Sequence, residues 1–395
     1  MEKTRLTAKA QRLFLKSRYS TLNICFFALA LVLLSRLAIY LFFAGYAEAA
    51  GDTRAFFGAL NVWDAQWYQE ITLEGYTSGT EYSGGLVNWA FFPLFSLAVR
   101  GVHMLTGADV NAVGFILNIL FQTAALAFLF QYVLETRKKN LAQAVTACFL
   151  LSLGCYSLYF ASYYTESLYL LLFVAAMYFL HKKQYLRMGV CGFFLTLTRN
   201  MGIVILIGLL IQVAIDYRAG SREKKSVSDF FRVCLKDGAL VTGTLLTLLG
   251  LASFMVFLGI RTGDPLAFVH AQAAWGLSGG GNPLAAIISG FASGIKRQVF
   301  FAACSVAGLF LCIYLLLKKR YAEAGMAFAL LLIPISVRLQ SIPRYLLGNA
   351  VFMLAFTDLL AACNKKWPMV LAAVSGCLLE FFLLYLWFCG STFMW

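Results

Sequence analysis

Long runs of apolar residues alternate along this chain with short charged connectors. A helix needs about 20 mostly apolar residues to cross the hydrocarbon of a bilayer, and runs of roughly that length recur. The pattern predicts crossings near 22–46, 111–134, 141–160, 166–181, 239–258, 299–317, 321–337, 345–362 and 368–389. The stretch 188–215 is apolar throughout but is interrupted by Thr198-Arg199-Asn200, which predicts two half-length helices meeting at the interruption. These segments together describe an all-α polytopic membrane protein of about 11 membrane segments, with the N-terminus cytoplasmic and the C-terminus outside. Lipid offers no hydrogen bonds, so each crossing has to satisfy its own backbone as a helix does.

Composition agrees: 61% of the 395 residues are hydrophobic and 13% charged, against about 45–50% and about 25% in soluble domains. The net charge of +14 would suggest nucleic acid in a soluble protein. Here 23 of the 32 Lys and Arg fall in the N-terminal arm and in the connectors at 137–139, 182–187, 218–236, 318–320 and 365–366, all on the predicted inner side. That is the positive-inside asymmetry, so the partners it implies are membrane lipids with anionic headgroups, not nucleic acid. The first run is too long and its arm too basic for a cleaved signal peptide. Ten cysteines show no CxxC or Cys/His spacing, so neither a disulfide framework nor a metal site is expected.

Two predicted outer segments are long, 47–110 and 259–298, and long loops usually carry function. They divide the chain into a first module, 1–258, and a second, 259–395, each with one such loop. The first loop holds Trp63-Asp64-Ala65-Gln66-Trp67-Tyr68 and then an apolar stretch from Ala90 to Leu105, read as a helix along the outer surface. Asp64 and Tyr68, like Trp63 and Trp67, stand four apart, so one short helix would set a carboxylate beside aromatic faces. That pairing suits a sugar, with C–H faces against indole and hydroxyls toward the carboxylate; an interfacial aromatic belt fits the spacing equally well. Further polar groups stand at predicted outer span ends: Glu166, Arg199 with Asn200, and Arg344. A charge near the hydrocarbon is costly unless paired or in a polar cavity. Arg199, apolar on both flanks, favours a cavity, whereas Arg344 could equally snorkel to headgroups.

Taken in order, several segments resemble the GPI mannosyltransferase II (PIG-V) family and its bacterial relatives among the GT-C membrane glycosyltransferases. They are Trp63-Asp64-Ala65, Gly75-Tyr76, Ala90-Phe91-Phe92-Pro93-Leu94, Tyr164-Thr165-Glu166-Ser167-Leu168, Thr198-Arg199-Asn200, Gly263-Asp264-Pro265-Leu266-Ala267-Phe268 with Gln272 and Trp275, and Pro343-Arg344-Tyr345, across about 60–346. The resemblance implies a GT-C-like fold with two long extracytoplasmic loops, in a bacterial plasma membrane or the endoplasmic reticulum. It implies a polyprenyl-phosphate sugar as donor, mannose first, and a lipid or glycan hydroxyl as acceptor, with inversion at the anomeric carbon. Asp64 would be the catalytic base; Arg199, Arg344 and His270 would hold the donor phosphate. Trp63, Trp67, Tyr68, Glu166, Asn200, Asp264, Gln272 and Trp275 would contact sugar or acceptor. No cofactor or metal is expected, and a partner membrane subunit is left open. The competing class is a flippase for a lipid-linked saccharide, which the broken helix at 198–200 keeps in view.

Overall fold

A computed structural model describes residues 20–76, 87–138, 140–219, 226–274, 280–391 and 393. The described residues are helical, without strands. In chain order the helices are α1 (Thr21–Ala50), α2 (Phe56–Leu60), α3 (Asp64–Leu73), α4 (Leu94–Thr106), α5 (Val110–Thr136) and α6 (Leu141–Leu153). They continue with α7 (Glu166–His181), α8 (Tyr185–Thr198), α9 (Ile205–Ala219), α10 (Val227–Lys236) and α11 (Gly238–Thr262). Then come α12 (Ala267–Ala274), α13 (Pro283–Ala292), α14 (Lys296–Leu317), α15 (Tyr321–Val337), α16 (Ile342–Leu347), α17 (Ala350–Ala362) and α18 (Trp367–Phe388). Short 3₁₀ turns occupy Asn88–Ala90, Ser157–Phe160 and Asn200–Val204.

The caps explain where several helices begin. Ser20, Asp109, Asp237, Asn282 and Asn349 each accept a hydrogen bond from a backbone N–H of the turn they open, satisfying donors that a helix start leaves orphaned. Six helical stretches among the described residues are long and apolar enough to cross a membrane: 21–50, 110–136, 200–219, 238–262, 296–317 and 367–388. Leucine and phenylalanine side chains such as Leu34, Leu41, Leu120, Leu249, Phe310 and Leu378 remain exposed on them. In water such a surface would be untenable, and in lipid it is the expected one, so the chain is an integral membrane protein.

The break at 198–200 is present: α8 ends at Thr198, Arg199 is extended (φ −158°, ψ 143°), and a 3₁₀ turn leads into α9. Two expected spans need correction. The 141–160 segment is helical only to Leu153, after which Gly154 turns the chain toward the short Ser157–Phe160 turn. The 345–362 segment is two helices, because Gly348 and Asn349 end α16 and cap α17. The basic connector at 218–236 also contains α10, which leaves Val227, Phe231, Val233 and Leu235 exposed. The stretch read as a surface helix does form α4, with Phe95, Ser96 and Val99 buried and Leu97, Met104 and Leu105 exposed.

The tightest packing joins α8 to α11 through small residues. Gly189 faces the backbone of Gly243, Gly243 faces the Tyr185 carbonyl, and Gly192 faces Thr247, each too close to admit a methyl group. Helices in lipid gain little from hydrophobicity and associate by such close approach. Gly243→Leu is therefore expected to lower stability by about 1–3 kcal/mol, read as a reduced melting temperature in detergent. Gly45→Leu, with nothing within 4 Å of its added Cβ, serves as the control and should leave the midpoint where it is.

Helix α7 fixes the two ends of the bundle. Its 16 residues span about 24 Å at 1.5 Å per residue. At its C-terminal end Glu135 meets Lys182 at 2.7 Å, and Arg137 meets Glu323 at 2.6 Å and Asp358 at 3.1 Å. Tyr132 and Gln143 join that buried cluster through Glu323 and Asp358. This is also the end that carries the basic residues Arg137, Lys182 and Arg320. Asp358 thus ties α17 to the end of α5 through Arg137 and to α6 through Gln143. Glu166 stands at the opposite end of α7.

Candidate active site

Chain connectivity brings four elements to the Glu166 end. The first is the opening turn of α3, with Asp64. The second is the segment between α6 and α7, which turns back at Gly154 and delivers Tyr159, Tyr164, Thr165 and Glu166. The break after α8 supplies Arg199, and α16 supplies Arg344.

Glu166 is the hub. Its Oε1 accepts from Arg199 at 2.7 Å and from Arg344 at 2.9 Å, with side-chain exposures of 7, 19 and 14% for the three residues. The carboxylate is enclosed while both guanidiniums keep an open side. Arg199 also donates from Nε to the Thr165 hydroxyl at 2.7 Å, and its guanidinium lies 5.8 Å from the Tyr169 ring centre. Arg344 lies 4.5 Å from the ring centre of Tyr159 and 5.4 Å from that of Tyr164. A guanidinium over aromatic faces is held by their quadrupoles and keeps its fork of donors in one plane. One carboxylate shared by two arginines leaves a single positive charge uncompensated within the triad.

Asp64 supplies the matching negative charge. It is half-buried at the first position of α3, where the helix dipole favours an anion. Burial raises its pKa above the ordinary aspartate value, against the pull of Arg344; Glu166 adds to the rise and Arg199 opposes it. All three charges of the triad are therefore near enough to act on it. Among the described residues Asp64 makes no ion pair, so its carboxylate is not consumed by structure.

Trp63, the residue before it, has φ 56° and ψ −120°, a region in which a side chain is strained. Its ring meets Trp387 of α18 edge to face at 4.4 Å. Trp67 stacks on Phe91 at 6.0 Å, and Tyr68 meets Phe91 at 5.2 Å. The carboxylate does sit on one short helix among aromatic rings, as its spacing predicts. The two indoles, however, diverge to separate aromatic partners.

The structure thus brings together Asp64, Tyr68, Glu166, Arg199 and Arg344. Asn200 stands beside them, with its Oδ1 accepting from the Met201 N–H in the 3₁₀ turn. The second-loop residues form a different group. His270 Nδ1 of α12 lies 2.7 Å from Oδ2 of Asp264, which precedes the helix, with His270 57% exposed, and Gln272 is half-buried on the same helix. Helix α12 packs through Phe268 and Ala271 on Trp89 and Phe92 of the first loop. Trp275 lies outside the described residues. Tyr159 had no signal of its own in the sequence beyond the aromatic density of 156–164.

Fold and site together define an integral membrane protein with a poised carboxylate beside paired guanidiniums at one end of a helical bundle. The chain belongs to the mannosyltransferase (PIG-V) family, whose model matches residues 43–256, more than half of its length. Membership makes it a glycosyltransferase. The matched region holds Asp64, Tyr68, Glu166, Arg199 and Asn200, whereas Asp264, His270, Gln272 and Arg344 lie beyond it. No curated protein matches the chain.

Proposed function

We propose that the protein is an inverting mannosyltransferase that takes its sugar from a polyprenyl-phosphate donor and acts on the face of the membrane opposite its basic connectors. The observation that carries this reading is the half-buried Asp64 beside a triad whose two arginines share one glutamate. A lipid-phosphate sugar presents an anion at the headgroup level and an anomeric carbon just beyond it. Arg199 and Arg344 grip the phosphate oxygens, for which a guanidinium fork is the matched partner. Asp64 takes the proton from the acceptor hydroxyl as its oxygen bonds to the anomeric carbon. The bond from that carbon to the phosphate oxygen breaks at the same time, and its electron pair leaves on the phosphate. Because that leaving group departs as a stabilised anion, no general acid is required, unlike the alkoxide of a hydrolysed glycoside.

Glu166 and Tyr68 hold the arginines and the acceptor side, and Asn200 shapes the sugar pocket with Trp63 and Trp67. From the second loop, His270 reaches the phosphate, while Asp264, Gln272 and Trp275 meet the sugar. The scheme draws its positive charge from the arginines and uses no metal. The positive-inside asymmetry supports a cytoplasmic basic end, and with it chemistry on the extracytoplasmic or luminal side. The acceptor is a lipid or glycan hydroxyl.

Purified protein in lipid vesicles, offered a panel of polyprenyl-phosphate sugars with an extract of membrane glycolipids as acceptor, tests the reading. Release of free polyprenyl phosphate is expected from the mannose donor. Tight donor binding without release would return the flippase class to first place.

A further inference from the structure

Helix α18 lies beyond the family-matched region and carries neither a motif nor an assigned role, yet one of its faces runs along the site. Gly376, Glu380, Leu384 and Trp387 recur on that face at helical spacing. Gly376 lets the helix approach Leu150 and Gly154, where an added methyl would come within 3.0 and 3.5 Å. One turn on, the buried Glu380 accepts from the Ser157 hydroxyl at 2.9 Å and from the Leu158 N–H at 2.8 Å, both at Oε1. Its Oε2 is buried without a hydrogen-bond partner.

Two turns further, Trp387 is 1% exposed. It meets Trp63 at 4.4 Å, Tyr159 at 5.1 Å and Tyr164 at 6.4 Å between ring centres. Arg36 of α1 grips the same turn from its other side, donating to the Phe160 carbonyl at 2.8 Å. A carboxylate in an apolar bundle is expensive unless it performs a task, and this one holds the turn that presents Tyr159 to Arg344. The strained backbone at Trp63 persists only where surroundings over-determine it, and Trp387 is the ring locked against it.

We infer that Glu380 and Trp387 are positioning residues of the transfer reaction. Glu380 sets the Ser157–Phe160 turn under Arg344, and Trp387 wedges Trp63 so that Asp64 points at the acceptor. This rests on the proposed roles of Asp64 and Arg344, and hydrogen exchange provides a readout independent of them.

The full chain in lipid nanodiscs is compared as wild type, Glu380→Leu, Glu380→Gln, Trp387→Ala and Trp387→Phe. Losing a hydrogen bond to a charged group should speed exchange of the amides at 157–162 by about tenfold or more in Glu380→Leu. Glu380→Gln keeps the one acceptor oxygen in use and should restore protection. In Trp387→Ala the speeding should fall at 62–66, with Trp387→Phe intermediate. With polyprenyl-phosphate mannose as the probe, Glu380→Leu and Trp387→Ala should lose about tenfold or more in kcat with donor KM little changed, and the conservative variants should recover most of it.

Unchanged exchange at 157–162 and 62–66 would overturn the inference, as would an equal rise over the whole chain, since that is what a merely structural helix would give. Local speeding in a wild-type background that releases no polyprenyl phosphate would support the positioning roles and overturn the donor reading alone.

Discussion

Asp64→Asn should reduce polyprenyl phosphate release by about 10²–10⁴-fold, the usual contribution of a positioned general base, while the protein stays folded in the membrane. The substitution keeps the shape of the side chain and removes its charge and basicity. Since Asp64 makes no ion pair among the described residues, little structure is lost with it. The matching pH experiment has a definite sign. Burial raises the Asp64 pKa, so on acidification the base protonates at a higher pH than an exposed aspartate, near 3.9, would. The acid limb of kcat should therefore lie above that value, with full activity on its alkaline side. A variant that loses folded protein in proportion to activity would make Asp64 structural. An acid limb at the exposed-aspartate value would remove the enclosed carboxylate from the mechanism.

What the chain showed before folding follows from how each signal is encoded. Membrane-spanning runs are local, so α1, α5, α11, α14 and α18 lie close to where hydropathy put them. The interruption at Arg199 was legible because three consecutive polar residues break an apolar run. The lost helix after Leu153 and the division at Gly348-Asn349 were not, because only a glycine, or a glycine and one asparagine, interrupts runs that are otherwise apolar on both sides. Such breaks depend on a cap and on what the freed backbone can bond to, and a single capping residue barely moves the hydropathy of a run of about 20 residues. At the site, Asp64 drew notice by its spacing among aromatic residues in the first long loop, and Glu166, Arg199 and Arg344 as polar residues at the ends of apolar runs. That Glu166 would serve both arginines is a contact between three distant segments, which no spacing encodes. The same holds for Asp358 and Glu380, whose partners lie more than 200 positions away. His270, which the resemblance groups with the arginines, pairs in the fold with Asp264, six residues earlier on the same stretch.

The last expectation concerns the triad itself. Removing Glu166 as Glu166→Leu leaves two largely buried guanidiniums facing one another without their shared counter-ion. Breaking a buried pair by deleting one partner costs about 3–5 kcal/mol, so this variant should unfold well below the wild type in a detergent melt. Glu166→Leu combined with Arg344→Met removes one of the stranded charges and should regain much of that loss, since the pair is replaced by apolar groups of similar size. The non-additivity is the diagnostic, because residues in one ion network couple strongly. Activity should not follow stability. The double variant has only Arg199 for the donor phosphate, and release of polyprenyl phosphate should remain at least about 10²-fold down, the scale on which one electrostatic donor at a reacting centre is felt. If the double variant recovered transfer along with its melting temperature, Arg344 would be a partner for Glu166 and nothing more. If the single variant melted like the wild type, lipid headgroups or water would have to be solvating the triad, and the argument from its burial would fail with it.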